Sequence, residues 1–224
     1  MSIKEKYKVK AIDSFQCRQW VLYKHYAKRL PPIEYAFGLY LDAILCAIVT
    51  YGTPMSSNLK GITTYKMLEL NRLVANDGNE KNTLSFFVST SLSMLPKPLM
   101  IVSYADIAQN HHGYIYQATN WVYTGLSAKR TDWKIKGMGH LHGATIADIS
   151  RGKENRADYM REKFGEDFYL EERSRKHRYF YFLGTKTQVK EMKNEMPYKI
   201  EPYPKGDNKK YDSSYSPAIQ GFLF

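Results

Sequence analysis

Leu99-Met-Ile-Val102-Ser103-Tyr-Ala-Asp106, followed by Gly113-Tyr-Ile-Tyr116-Gln-Ala-Thr-Asn120-Trp-Val-Tyr123-Thr-Gly125, is the stretch on which the fold turns. Leu99 to Val102 is a short apolar run of the kind that forms a buried strand, and Ile115, Ala118 and Val122 then recur at helical spacing. Acid and aromatic groups therefore cluster where a strand gives way to a helix. In open α/β sheets ligands bind at that end of the strands.

Outward from this stretch, Ser14 to Arg29 carries Phe15, Arg18, Gln19, Leu22, Tyr23 and Tyr26, a pattern that predicts an amphipathic helix ended by Pro31-Pro32. Ala36 to Leu41 and Ala43 to Tyr51 predict a β-hairpin split near Asp42 and stopped by Gly52-Thr-Pro54. Met67 to Val74 predicts a strand, Asn76-Asp77-Gly78 a turn, and Asn82 to Met94 a helix before Pro96 and Pro98. Arg178 to Leu183, dense in tyrosine and phenylalanine, predicts a buried strand ended by Gly184. The order helix, hairpin, strand, helix, strand, helix, strand is that of a mixed α/β sheet domain rather than a regular βαβ alternation. One domain is expected over residues 1–200, and the turn-rich, basic Pro202-Tyr-Pro-Lys-Gly-Asp-Asn-Lys-Lys opens a tail over 201–224.

With 43% hydrophobic content, 224 residues bury one sizeable core without demanding two domains. Lysine plus arginine exceed aspartate plus glutamate by 33 to 22, and the net charge of +11 favours a polyanionic partner: DNA, RNA or an acidic lipid surface. The longest apolar stretch, Ala36 to Tyr51, is broken by Gly38 and Asp42, whereas a bilayer span needs roughly 20 apolar residues. No membrane span is expected. Cys17 and Cys46 lack paired-ligand spacing and no leader-like stretch precedes them, which predicts a reducing, cytoplasmic setting with no role for either thiol.

His25-Tyr26, Arg72 with Asn76-Asp77, Lys81-Asn82 with Ser85, Ser103-Tyr-Ala-Asp106, His112-Gly113, Tyr116-Gln-Ala-Thr-Asn120-Trp121, Tyr123 and Gly125 together form a constellation. It resembles the phage Mom family of DNA adenine modification proteins, a branch of the GNAT-type N-acyltransferase superfamily. A weaker likeness through Arg178-Tyr179, Phe182-Leu183-Gly184 and Pro202-Tyr-Pro-Lys-Gly206 extends it over most of the chain. The resemblance implies a GNAT-like α/β fold with a mixed, mostly antiparallel central sheet flanked by helices. It also implies a double-stranded DNA substrate in the host cytoplasm, and conversion of adenine N6 to a carbamoylmethyl derivative that shields phage DNA from host restriction. The fold equally permits a GNAT-type acyltransferase acting on a protein or small-molecule amine, which would bind DNA little. A basic DNA-binding protein without catalysis is the third reading, and it would leave nucleosides unaltered.

The adenine N6 amine is a weak nucleophile because its lone pair is delocalised, so a carboxylate that accepts its proton assists the attack. Asp106 is the first candidate, although its place at a strand-to-helix switch equally suits a helix N-cap, and only the family likeness favours catalysis. Tyr104, His25 and Tyr26 complete the catalytic set. His25 reads as a proton shuttle, a metal ligand or an ordinary structural histidine. With Asp106 it is a candidate ligand for iron or another transition metal, and His111-His112 and His140-Leu-His142 add histidines at ligand-like spacing, without a recognised closed set. An extruded base is held between aromatic faces, which nominates Tyr104, Tyr116, Trp121 and Tyr123; the Asn120 amide matches adenine N6 and N7. At least two of these aromatics are expected in the core instead.

Ordinary acyltransferases hold the donor pyrophosphate on a loop with paired glycines. The corresponding stretch, Asp77-Gly-Asn-Glu-Lys-Asn-Thr-Leu-Ser85, has one. Arg72, Lys81, Asn82 and Ser85 are the candidate contacts to an acyl-CoA or a glycine-like small-molecule donor. The same stretch fits an N-capped amphipathic helix burying Leu84, Phe87, Val88, Ser91 and Leu92. For DNA phosphates the densest basic run is Arg173-Ser-Arg175-Lys176-His-Arg178, locally offset by Glu171 and Glu172. Gly137-Met-Gly-His-Leu-His-Gly143 reads as a loop that closes on substrate.

Overall fold

A computed structural model of the protein describes residues 2–141 and 143–206. His142 and most of the expected tail, 207–224, lie outside the described residues. Within the span expected as one domain, two compact units separate: residues up to Gly125 together with those from His177 onward, and Leu126–Lys176.

The first unit is built on a seven-stranded sheet. Its strands are β1 (Tyr7–Ala11), β2 (Tyr35–Leu41), β3 (Ile44–Gly52), β4 (Met67–Ala75), β5 (Leu99–Asp106), β6 (Val122–Leu126) and, after the second unit, β9 (Lys176–Leu183). The spatial order is β1-β2-β3-β4-β5-β9-β6. β1 to β4 pair antiparallel in succession, and β4 pairs parallel with β5. The mixed, mostly antiparallel sheet flanked by helices is thus the observed architecture. The hairpin of β2 and β3 turns at Asp42 and Ala43, both at positive φ (47° and 68°), the backbone of a two-residue primed turn.

Helices α1 (Ile3–Lys6), α2 (Thr83–Met94) and α3 (Tyr114–Ala118) lie on one face, where Phe87, Val88 and Leu92 of α2 pack with Leu39, Val49, Leu68, Leu70 and Ile101. Tyr51 Oη and Ser91 Oγ, both buried, meet at 2.7 Å and tie α2 to β3. The opposite face is covered in two places. Cys17, Trp20 and Val21 pack on Ile48 and Val74, while Met192 of α6 (Lys186–Glu195) packs on Met100, Val102 and Phe180. No helix among the described residues is long and apolar enough to cross a membrane.

Two expected helices are corrected. The one over Ser14 to Arg29 is instead a 3₁₀ turn, Ser14–Cys17, capped by the Asp13 side chain, leading into a π-helical turn, Trp20–Lys24. It stops before His25, whose backbone is extended and whose Nδ1 accepts the Ala27 amide, a local bond that competes with helix. The helix carrying Ile115, Ala118 and Val122 ends at Ala118. Asn120 takes φ 60°, the Trp121 amide donates to the Tyr116 carbonyl and the Asn120 amide to the Gln117 carbonyl. This is a Schellman stop, with asparagine tolerating the left-handed position. Val122 then opens β6 rather than continuing the helix.

The second unit consists of an antiparallel ribbon, β7 (Arg130–Ile135) with β8 (Phe168–Arg173), and helices α4 (Gly143–Asp148) and α5 (Arg156–Phe164). Its own small core joins Ile135, Ile146 and Met160 to Trp133 and Phe168. The Gly137 to Leu141 part of the expected loop leads into α4, and His140 is exposed within this unit.

Candidate active site

β4 and β5 form a ladder only from Met67 opposite Met100 to Glu69 opposite Val102. β4 then continues to Ala75 and β5 to Asp106, and the strands part. At the parting point a side chain takes over the role of the ladder: Ser103 Oγ donates to the Leu70 carbonyl at 2.8 Å. The same oxygen is hydrogen-bonded to Tyr116 Oη at 2.7 Å. Tyr116 is held there by ring contacts with Trp121 and Tyr179, at 5.1 and 5.2 Å between centroids. Burial pushes its hydroxyl up to about 12, with Glu69 acting in the same direction and the Ser103 bond opposing.

Asp106 closes β5 and is buried. Its Oδ1 accepts the Ala108 amide at 3.0 Å, capping a 3₁₀ turn over Ile107–Gln109, and its carbonyl accepts the His111 amide at 3.1 Å. The left-handed Asn110 completes that reversal and returns His111 toward Asp106. The His111 ring meets Tyr26 edge-on at 6.4 Å, and Tyr26 stacks on His25 at 4.4 Å. His25-Tyr26 and the Asp106–His111 turn, far apart in sequence, therefore meet beside the opened strands.

Arg72 and Asn71, on β4, pin the chain that carries His25 and Tyr26. Arg72 donates to the Asn71 and Arg29 carbonyls, and Asn71 Nδ2 to the Pro32 carbonyl at 2.8 Å. Burial lowers the Arg72 pKa, and nearby Tyr26 and Glu69 partly offset it. Gly52 is required at this junction, since a Cβ there would lie 2.0 Å from the Pro32 carbonyl oxygen. Lys24, buried and pushed down by burial, is in turn stabilised as a cation by Asp77 of the β4–α2 turn.

The model of the Mom protein family matches residues 6–205. The chain belongs to the Mom protein family. It is similar to "Methylcarbamoylase mom" of Escherichia phage Mu, with 25% identity over 88% of this chain and 83% of that protein. Among solved structures it is similar to a GNAT-family acetyltransferase from Bacillus cereus (9% identity, 79% of this chain, 96% of that one, TM-score 0.40). An N-acetyltransferase from Staphylococcus aureus Mu50 is comparable (9% identity, 79% of this chain, 98% of that one, TM-score 0.41).

In this Mom-family chain the remaining nominated residues fall into different places. By strand alternation Tyr104 and Asp106 face the opposite side from Ser103. Tyr104 packs with Met100, Val102 and Phe180 and lies close enough to Arg178 to favour its charge. Trp121 and Tyr123 are buried in the main core, so their faces are not open to a base; Tyr123 Oη meets His177 Nδ1 at 2.8 Å. Tyr116 bonds Ser103 through its hydroxyl while its ring packs on Trp121 and Tyr179, and Asn120 is exposed at the helix stop.

On the donor side, Lys81 and Asn82 are exposed at the start of α2, and Ser85 Oγ is committed to the Asn82 carbonyl at 2.9 Å. Arg72 donates through its two terminal nitrogens to the Asn71 and Arg29 carbonyls and so clamps the chain.

The basic run is likewise largely engaged. In the second unit Arg173 pairs with Asp132, Arg175 Nε donates to the Ser127 carbonyl at 2.7 Å, and the Lys176 amide donates to Ser127 Oγ. In the first unit the Arg178 guanidinium donates to Thr124 Oγ1 and its carbonyl, both at 2.9 Å, and lies 3.4 Å over the Tyr198 ring.

The residues nominated for a transition metal do not fit one. Because Nδ1 of His25 accepts an amide proton, the neutral ring carries its own proton on Nε2, which removes that nitrogen as a ligand. Among the described residues no three histidine, cysteine or acidic side chains gather as a ligand set. Sequence reasoning passed over Glu69. Its signal was available, a lone acid in the apolar run Met67 to Val74.

Proposed function

We propose that this Mom-family protein is a transferase that converts adenine N6 in duplex DNA to its carbamoylmethyl derivative, acting on phage DNA in the host cytoplasm and shielding it from restriction. The name of the phage Mu relative supports this chemistry for that protein. The observation that carries the reading here is the parting of β4 and β5, which leaves Ser103 and Tyr116 at one side of the opening and Asp106, Tyr26 and His111 beside it. The net charge of +11 suits a DNA substrate.

In this reading the N6 amine attacks the methylene carbon of the donor. The N6–C bond forms as the bond from that carbon to its leaving group breaks. One N6 hydrogen passes to Asp106, the departing anion takes a proton from water, and Asp106 then returns its own proton to solvent. Capping the Ala108 amide does not of itself exclude catalysis at Asp106, because a carboxylate offers about four lone-pair sites. His25 presents an Nε2–H donor, Ser103 orients Tyr116, and Lys81 at the head of α2 attracts an anionic donor.

The test is direct. Plasmid DNA from bacteria expressing the protein is digested to nucleosides and analysed by mass spectrometry for deoxyadenosine heavier by one carbamoylmethyl group. That species supports the proposal; unmodified deoxyadenosine with folded, soluble protein overturns it.

A further inference from the structure

An adenine inside a duplex must leave the stack before its N6 can react, and the space it vacates has to be filled or the base falls back. None of the residues assigned above does this. Several apolar side chains of the described residues stand out into solvent, Phe15, Tyr23, Met55, Ile107 and Tyr114 among them. Met55 is tied to a strand of the sheet, whereas the Phe15 amide is bonded locally to Asp13. The Met55 amide donates to Glu69 Oε2 at 3.1 Å, and Glu69 is the last residue of β4 paired with β5 before the strands part. The residue is 59% exposed.

The loop over 53–66 that carries Met55 is held at both ends. At one end Gly52 packs directly on the Pro32 carbonyl. At the other, Thr63 and Thr64 bond to Glu195 and Tyr65 to Glu191, both on α6, while Leu59 is buried with Met100 and Val102. Met55 therefore stands on a fixed backbone, preceded by the rigid Pro54 and followed by Ser56, Ser57, Asn58 and Lys60, which suit phosphate and sugar contacts. Unbranched or flat apolar side chains, methionine among them, are the ones proteins drive between base steps.

We infer that Met55 is the wedge that enters the base stack in place of the extruded adenine, with the 53–66 loop laid against the duplex. The inference rests on the DNA-modification reading. It places the intercalating group on the loop braced by Glu69, apart from the groups that move protons.

The experiment begins by mapping the adenines that the wild-type protein modifies in plasmid DNA. A duplex carrying 2-aminopurine at a mapped position then reports unstacking by its fluorescence, independently of chemistry. Modification rates are measured on the normal duplex and on one with an abasic site opposite the target, where extrusion is easy. Met55→Ala is expected to abolish the fluorescence rise and slow the normal duplex about tenfold or more, with the abasic duplex changed by less than about twofold. Met55→Leu is expected to restore both. Equal losses on the two duplexes, or an unchanged fluorescence rise with Met55→Ala, would overturn the wedge while leaving the function standing. A wild-type protein that modifies no DNA would overturn both.

Discussion

Replacing Ser103 by alanine tests whether the opening between β4 and β5 is held by a side chain. Ser103 is 1% exposed, so water cannot replace what its hydroxyl supplies. Alanine keeps the Cβ and removes two bonds, to the Leu70 carbonyl at 2.8 Å and to Tyr116 Oη at 2.7 Å. A buried polar group left without a partner costs about 1–3 kcal/mol, and two such groups give about 2–6 kcal/mol. For a chain of this length each kcal/mol moves the melting temperature by about 2–4 °C, so a fall of at least about 4 °C, and up to about 24 °C, is expected. Calorimetric melting gives this quantity, and Tyr116→Phe, which removes only one of the two bonds, should cost less. A melting temperature unchanged to within about a degree would show that Ser103 does not support the parted strands, and the assignment of the cleft would fall with it.

Asp106→Asn should lower adenine modification by about 10²–10⁴-fold with little change in melting, because asparagine caps the Ile107–Gln109 turn as well as aspartate does; near-normal turnover would leave Asp106 a capping residue only. Arg178→Ala should destabilise by about 2–3 kcal/mol, since Thr124 and Tyr198 lose their partner, yet leave the salt slope of DNA affinity unchanged; a shallower slope would return Arg178 to the phosphate-binding surface. His177 is held neutral by burial, with His112 adding to the effect, so its folded-state pKa lies below 6.5. Its contribution to stability should be present above pH about 6.5 and be lost as the pH falls toward the folded-state value; His177→Gln should flatten that part of the stability profile measured by urea unfolding. Cys17, with its thiol pushed up to about 12, mainly by burial, should resist thiol reagents at neutral pH in the native state and react once urea unfolds the chain.

The sequence by itself determined the family and most of the first unit. The hairpin break at Asp42, β4 with its Asn76-Asp77-Gly78 turn, α2 and the buried strands β5 and β9 are legible because residue period and turn chemistry are local properties. The resemblance carried by His25-Tyr26, Ser103 to Asp106 and Tyr116 to Gly125 agrees with the family match over residues 6–205. Only the tertiary structure decided which of these residues face the opening. Trp121 and Tyr123 carry the same aromatic signal as an exposed stacking platform, and strand order placed them inside the core. Arg72 has the charge of a phosphate ligand, and the structure adds a bond to the Arg29 carbonyl, distant in sequence. The separate compactness of Leu126–Lys176 rests on Ile135, Ile146 and Met160 meeting across long loops. The opening itself depends on where a parallel ladder stops and a serine hydroxyl substitutes for it. Such features are set by non-local pairing and by competition for hydrogen-bond partners, which leave no period or spacing in the chain.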